Sequence, residues 1–461
     1  MTRKILKIIG WIVAGTVGLG VALYLILVAI NWRDQAPSAA AVQLAEAYRN
    51  RPELADDDNA FIYTMGFGVA PASDPYEMGL KRLAWLRDSN SSGRVNDTRD
   101  PLGKQPDYKA MRPAAVQNFV AACHPGNPDC AAAFRAGDSV FEPWQASESW
   151  LLPRYMALIR HRGWRESVPF DVSAPLPPYG LVMDGQRLLL LDTKILAERG
   201  DYANARNLLE KDLHFWRKVL ESSDILISKM LATVAITRDF ELGNLVLREI
   251  PPDKVMNAVP AGWDTPLSDA DRSMRRCLVG EWVFMSASLR NIDIGSEALR
   301  DDSVVSRAMT RLVMPLYRRQ DSINKNAAYL LEMIQLSSAP LDQYEDAVNR
   351  TAALAQQTRS AAFPPHSPYN PFGQFLIAIG TTDFGTYARR VADLEGVRRA
   401  ALLAVTLRAA NVKASEVSAA LSANALHEPY HNRPFEWDEK EGAIVFRGLE
   451  IADRSVHRIY Y

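Results

Sequence analysis

The sequence predicts an all-α protein: an N-terminal transmembrane helix, then stacked helical hairpins, with a small C-terminal β-hairpin. Three observations carry this expectation. Residues Ile8 to Ile30, IIGWIVAGTVGLGVALYLILVAI, run without a charged side chain. From residue 145 onward apolar residues recur at three- and four-residue spacing, the period of a helix with one buried face. Near the C-terminus that period gives way to FEWD and AIVF, short stretches flanking the turn EKEG, which reads as a hairpin.

The apolar run comes first. At about 1.5 Å per residue its length reaches roughly 35 Å, enough to cross a bilayer core. Arg3, Lys4 and Lys7 precede it, whereas Arg33 and Asp34 follow and cancel. The positive-inside rule then keeps residues 1–7 in the cytoplasm and sends the rest of the chain across the membrane. A cleaved signal peptide is the rival reading, with Ala39, Ala40 and Ala41 as a small-residue site. Its apolar core should be shorter and end at that site, so an uncleaved anchor is expected.

Composition limits the remaining possibilities. Lysine plus arginine (53) nearly balance aspartate plus glutamate (54), so no basic excess exists for a nucleic-acid partner. Hydrophobic residues at 48% allow a sizeable core. Of three cysteines, Cys123 and Cys130 bracket the tight loop CHPGNPDC and are expected to form a disulfide in an oxidising compartment. A metal site would recruit His124, but no fourth ligand lies nearby and the spacing is not that of a zinc knuckle. Cys277 sits in an apolar helical pattern and reads as a buried thiol. No cofactor is expected.

Taken in order, 31–144 reads as a linker and a mixed, largely helical region containing the disulfide loop. Within it Ser73 or Asp74 offers an N-cap with Pro75 at the first helical position, and 88–108 is a breaker-rich surface loop. Residues 145–362 read as a helical domain. Its junction ILAERGDYANARNLL, centred on Gly200-Asp201-Tyr202 with Ala205, resembles the turn inside a tetratricopeptide hairpin, although no repeat at that period follows. Further helices are expected at 269–290, 303–336, 341–360 and 384–409. In the C-terminal part, 363–461, the proline-rich FPPHSPYNPFG interrupts them.

One motif names a chemistry. His427-Glu428-Pro429-Tyr430-His431 matches the H-E-x-x-H pattern of zinc proteases letter for letter. That site needs both histidines on one helical face, and Pro429 disfavours helical geometry there. A second proline, Pro434, follows, and a third ligand is poorly supplied. HEPYH therefore reads as a turn into the hairpin, not as a metal or catalytic site.

A resemblance agrees with this. EPYHNRPFEWDEKEGAIVF is similar to the closing motif of envelope-associated bacterial proteins, in which an Asp-Pro, a glycine turn and a Pro-aromatic step lead into a short hairpin. Glu428-Pro429 and Arg433-Pro434-Phe435 match those steps, and Asn432 beside His431 stands where glycine is expected. More broadly, DNAFIYTMGFGVAPASDPYEMG, the paired cysteines, LLPRYMALI and GDYANARNLLEKDLHFWRKVLESSDILISKML, over roughly 59–248, resemble an uncharacterised family of proteobacterial membrane-anchored, helix-rich envelope proteins. The resemblance implies a fold type and a location; it carries no activity and no catalytic residues.

Two other residues attract attention. Lys229 in ILISKMLATVA and Glu281 in RRCLVGEWVFMSAS each lie on an apolar helical stripe without a local counter-charge. Buried singly, either would titrate abnormally, as functional groups do. The competing expectation is a structural ion pair, with each other or with an arginine. His161 and His214 read as interface or core residues, and Arg275-Arg276 as a solvated face. The leading functional expectation is a membrane-anchored adaptor or structural component with a partner in the envelope. The alternative is a periplasmic hydrolase of an envelope polymer using Glu281 as a buried acid.

Overall fold

The apolar run and its basic prefix form one helix, α1 (Thr2–Ile30), whose stretch Lys7–Ile30 is long and apolar enough to cross a membrane. The computed structural model describes residues 2–91, 100–123, 129–167, 174–292, 311–362, 366–450 and 455–461. His124, residues 92–99 of the expected 88–108 loop, residues 303–310 and 363–365 lie outside these, and 88–91 of that loop are instead helical. The fold is all-α with a small C-terminal sheet. The other helices of seventeen or more residues are α2 (Pro75–Ser91), α3 (Tyr179–Glu198), α4 (Tyr202–Ser222), α5 (Leu226–Arg248), α6 (Arg275–Asn291), α7 (Arg319–Leu336), α8 (Tyr344–Ala362) and α9 (Gly385–Ala409).

The described chain divides into two compact units, and neither is continuous in sequence. One comprises Met1–Asn50, Trp282–Met333 and Arg350–Asp383; the other comprises Arg51–Glu281, Ile334–Asn349 and Phe384–Tyr461. This departs from the segmental division read from the sequence. Three of the five boundaries fall inside α6, α7 and α8, where no change of composition marks them.

In the larger unit, helices α3, α4 and α5 pack on one another, and α5 also packs on α9. The α3–α4 corner turns at Gly200, whose φ of +84° is open to glycine at no steric cost. Asp201 then caps α4 by accepting from the Asn204 backbone N–H at 3.3 Å. Along α4 the buried Ala205, Leu209, Leu213, Trp216 and Leu220 follow the helical period and face its neighbours. Helix α9 is buried on nearly every face, from Ala388 to Leu407, as expected of a central helix with small and branched residues throughout.

The sheet packs on α9. Strands β1 (Glu436–Asp438), β2 (Ala443–Arg447) and β3 (Val456–Tyr460) lie in the order β1-β2-β3, both pairings antiparallel. Trp437 faces Ile444, and Ile444 in turn faces Ile459. The expected hairpin is β1-β2; the third strand was not foreseen, because VHRIY lacks a clean apolar alternation. Gly396 on α9 receives the Phe446 ring of β2, which a Cβ there would meet at 2.1 Å. Buried Asp393, one turn earlier, accepts from the Tyr430 hydroxyl at 2.6 Å and from the backbone N–H groups of Leu449 and Glu450 at 2.8 and 3.1 Å. A single carboxyl thereby ties two segments of the C-terminal region, at Tyr430 and at Leu449-Glu450, to α9.

In the smaller unit Asp34, just past α1, accepts from the N–H groups of Gln320 and Asp321 at 2.8 and 3.1 Å and so caps α7. Ser38 caps the Ala39–Arg49 helix. The proline-rich stretch does not simply interrupt: Pro371 opens a further helix, Pro371–Gly380, at the position where its missing N–H costs nothing. Other expected helices start late or break. The 269–290 stretch is a short helix, Asp269–Arg272, then α6; the 303–336 stretch shows a 3-10 turn at Met314–Leu316 before α7.

Candidate functional site

Helix α4 ends at Ser222 and α5 begins at Leu226, leaving Ser223–Ile225 as an abrupt junction. Such a junction exposes the last carbonyls of one helix and the first N–H groups of the next. Both residues singled out by the sequence converge here. Buried Lys229 donates from Nζ to the Leu220 carbonyl at 2.7 Å and to the Asp271 carbonyl at 3.1 Å. These carbonyls close α4 and the Asp269–Arg272 helix, where a positive charge is favoured. Glu281, from α6, accepts from the Leu226 N–H at 2.9 Å, at the positive start of α5. Ile225, the N-cap of α5, has no side-chain oxygen with which to do so.

The expected ion pair is thus replaced by helix capping. Among the described residues neither Lys229 nor Glu281 forms a salt bridge; each head group is committed to backbone. Burial pulls the Lys229 amine down to about 8 and raises the Glu281 carboxyl above its ordinary range. Cys277, between them on α6, is a buried thiol pushed up to about 12 by burial.

Two further acids complete the centre. Asp224 is fully buried and is bonded by Arg51 through Nη1 and by Arg276 through Nε, the latter at 2.8 Å. The Arg275-Arg276 pair is therefore not a solvated face: Arg275 is exposed, but Arg276 neutralises Asp224. Glu166 accepts from the Trp164 indole N–H and from the Asp224 backbone N–H, both at 2.8 Å, and has no cation partner among the described residues. Burial, and then the negative charge of Asp224, push Glu166 up to about 7. Neither acid was signalled by the sequence. Asp224 lies in a helix break and Glu166 in an irregular stretch, so no apolar period marks their burial.

This centre has a consequence for pH. Between the ordinary glutamate value of 4.5 and about 7, the folded protein holds a proton on Glu166 that the unfolded chain has released. Stability from this group is full below that interval and falls as pH rises through it, by about 3 kcal/mol in total. Lys229 contributes the opposite slope at higher pH, stability rising between about 8 and 10.5. Urea unfolding near pH 4.5 and above pH 7 should show that Glu166→Gln loses much of the acid-side slope; an unchanged slope would exclude Glu166 as its source.

A second buried network lies between α3, α4 and α5. Asp212 accepts from Tyr155 and, at 2.9 Å, from Gln186, while Trp216 donates to the Tyr155 hydroxyl at 2.7 Å. Asp239 lies beside Asp212, and neither of its oxygens accepts a hydrogen bond from a described group. Burial and then the Asp212 charge raise its carboxyl well above its ordinary value. Paired acids of this kind can perform acid–base chemistry only where a substrate reaches them. Here Asp212 and Asp239 are at most 1% exposed.

The accessible feature beside the junction is a cleft of about 400 Å³ along α4. Glu210, His214, Arg217, Lys218 and Glu221 line one side, and Ala261, Gly262, Thr265, Ser268 and Asp271 the other. Arg217 crosses it to Asp271 at 2.7 Å and to the Thr265 and Pro266 carbonyls. Burial and then Lys218 hold the His214 imidazole below its usual value, and so neutral at pH 7. His161 instead stacks near Tyr63 and contacts the Leu158 carbonyl at 3.0 Å.

The HEPYH segment is a turn without helix. Glu428 accepts from the N–H groups of Tyr430, His431 and Arg433 at 2.8, 2.8 and 3.0 Å, which closes the turn. Asn432, where glycine was expected, adopts a left-handed φ of +54°, a conformation asparagine tolerates. His431 contacts Glu345 at 3.1 Å, and the His427 ring nitrogens are buried without a described partner. Cys123 and Cys130 are joined as a disulfide with Cα atoms 4.3 Å apart. No family model, curated protein or solved structure matches the chain.

Proposed function

We propose that the protein is an adaptor or structural component of the bacterial envelope, held in the inner membrane by α1 with its N-terminus in the cytoplasm and its bulk in the periplasm. One observation carries this reading: the charged groups that could serve catalysis are spent on the scaffold. Glu281 caps α5, and Lys229 closes two helix ends. A hydrolase would need the Glu281 carboxyl free to meet a substrate, and its acceptor role at Leu226 N opposes that. The resemblance of 59–248 to helix-rich envelope proteins and the charge asymmetry around α1 support the placement.

The cleft along α4 is the surface best suited to a partner. Its lining carries both acidic and basic residues, and among the described residues Lys218 and Glu221 make no ion pair. They therefore suit an extended segment carrying both signs of charge. A photo-crosslinking residue at Lys218 in the full-length protein in cells should capture a defined envelope protein. The same residue at Glu439, in the β1-β2 turn, should not, and Glu221→Lys should reduce the Lys218 product. Equal capture from both positions, or none from Lys218, would contradict this use of the cleft.

A further inference from the structure

We propose that the Pro371–Gly380 helix and residues 312–316, the helical Leu312 with the Met314–Leu316 turn after it, form a second membrane contact, an apolar surface lying in the outer leaflet against the lipid chains beside α1. The inference rests on the reading of Ile8–Ile30 as a bilayer span and goes beyond it by assigning a lipid-facing site on the folded part of the chain.

Only one stripe of the distal half of α1 is partly covered: Tyr24, Leu27 and Val28, leading to buried Asn31. These residues share a helix face, and that face meets the Met314–Leu316 turn. The Tyr24 hydroxyl donates to the Leu312 carbonyl at 3.1 Å. Tyr24 precedes Asn31 by two helical turns, about 10 Å along the axis. Helical side chains lean toward the N-terminus, so Leu312 lies at least that far below the outer end of the span. A bilayer that covers α1 therefore reaches the turn as well.

The same turn touches the Pro371–Gly380 helix on its other side, and Tyr317 just after it packs edge-on against Phe372 at 5.6 Å. Asn31 fixes the arrangement. Its amide donates to the Pro368 carbonyl at 2.8 Å, and its oxygen accepts from the Asn370 N–H at 2.6 Å. Asn370, at a left-handed φ of +53°, then caps the helix through Gly373 N–H at 3.0 Å. The end of the span and the start of this helix are thus locked together by hydrogen bonds from the Asn31 side chain to backbone groups.

The helix has two faces. Gly373, Gln374, Ile377 and Ala378 are buried in the unit. Phe372, Phe375, Leu376 and Ile379 follow at i, i+3, i+4 and i+7 on the other side, and none is buried. Ile379 is 67% exposed, and Leu312, just before the turn, is 52% exposed. Trp32, 78% exposed at the end of the span, is the residue type enriched at the membrane interface. In water such a stripe would be costly; beside a transmembrane helix, at that helix's own depth, lipid is its solvent.

The test uses the full-length protein reconstituted into phosphatidylethanolamine–phosphatidylglycerol vesicles, with nitroxide labels placed singly. Ile379→Cys tests the proposal, Leu19→Cys marks the span, and Met111→Cys, on an exposed residue of the other unit, marks water. The Ile379→Cys label should collide with oxygen severalfold more than with a polar nickel chelate, as the Leu19→Cys label does, with the preference reversed at Met111→Cys. A water-like reading at Ile379→Cys beside a lipid-like one at Leu19→Cys would overturn the second contact and leave the anchor intact. Shielding from both reagents at Ile379→Cys would likewise overturn it, in favour of a protein cover. A water-like reading at Leu19→Cys would overturn the anchor itself.

Discussion

Arg112→Ala should destabilise the protein by about 4 kcal/mol, the cost of breaking a buried ion pair by removing one partner. The guanidinium is 4% exposed and joins two carboxylates from different segments. Its Nε donates to Glu148 at 3.1 Å and its Nη1 to Asp184, on α3, at 2.8 Å. It also lies over the Trp144 ring, whose indole N–H donates to the same Glu148 at 2.7 Å. Asp184 keeps Arg187 as a partner after the substitution, but Glu148 loses its only cation among the described residues. Most of the loss therefore comes from a buried charge left behind. Arg112→Lys should recover little, because one ammonium cannot reproduce the planar fork. Urea unfolding of the full-length protein in detergent measures both, and a loss below about 1 kcal/mol for Arg112→Ala would contradict this role.

Gly280→Ala should cost about 3 kcal/mol, at the upper end of the usual penalty for overpacking. A Cβ at Gly280 would lie 1.6 Å from the Asp224 carbonyl oxygen, and that atom is backbone. Helix α6 can meet the α4–α5 junction only through glycine at this point. Any relief must move α6 or the junction, and either shift takes the adjacent Glu281 carboxyl away from Leu226. The added methyl group would therefore also weaken a helix cap. A thermal midpoint equal to that of the wild type would show that the junction yields freely.

Much of the architecture was legible because it is periodic. The uncharged run became α1, the three- and four-residue spacing of 202–222 became α4, and Gly200-Asp201 became a left-handed corner followed by a cap. The turn at HEPYH was legible for a related reason, since Pro429 constrains the backbone whatever surrounds it. What escaped notice depends on partners distant in sequence. Arg276 reads as a surface charge until Asp224, fifty-two residues away, is brought beside it. Glu166 carries no local sign that Trp164 and the Asp224 backbone will enclose it. The Pro371–Gly380 helix was hidden by the prolines before it, one of which is its first residue. For Lys229 and Glu281 the burial was legible but the partner was not, because a helix end offers carbonyls and N–H groups that composition does not display.

The account depends most on Glu281 being a cap and not a free acid. Thermal and urea unfolding of Glu281→Ala and Glu281→Gln in the full-length protein tests this directly. Removing the acceptor leaves the Leu226 N–H unsatisfied, so Glu281→Ala should lose about 1 to 2 kcal/mol, whereas Glu281→Gln keeps an oxygen in place and should retain most of the stability. Wild-type stability in both variants would contradict the capping role and return Glu281 to the acids available for chemistry.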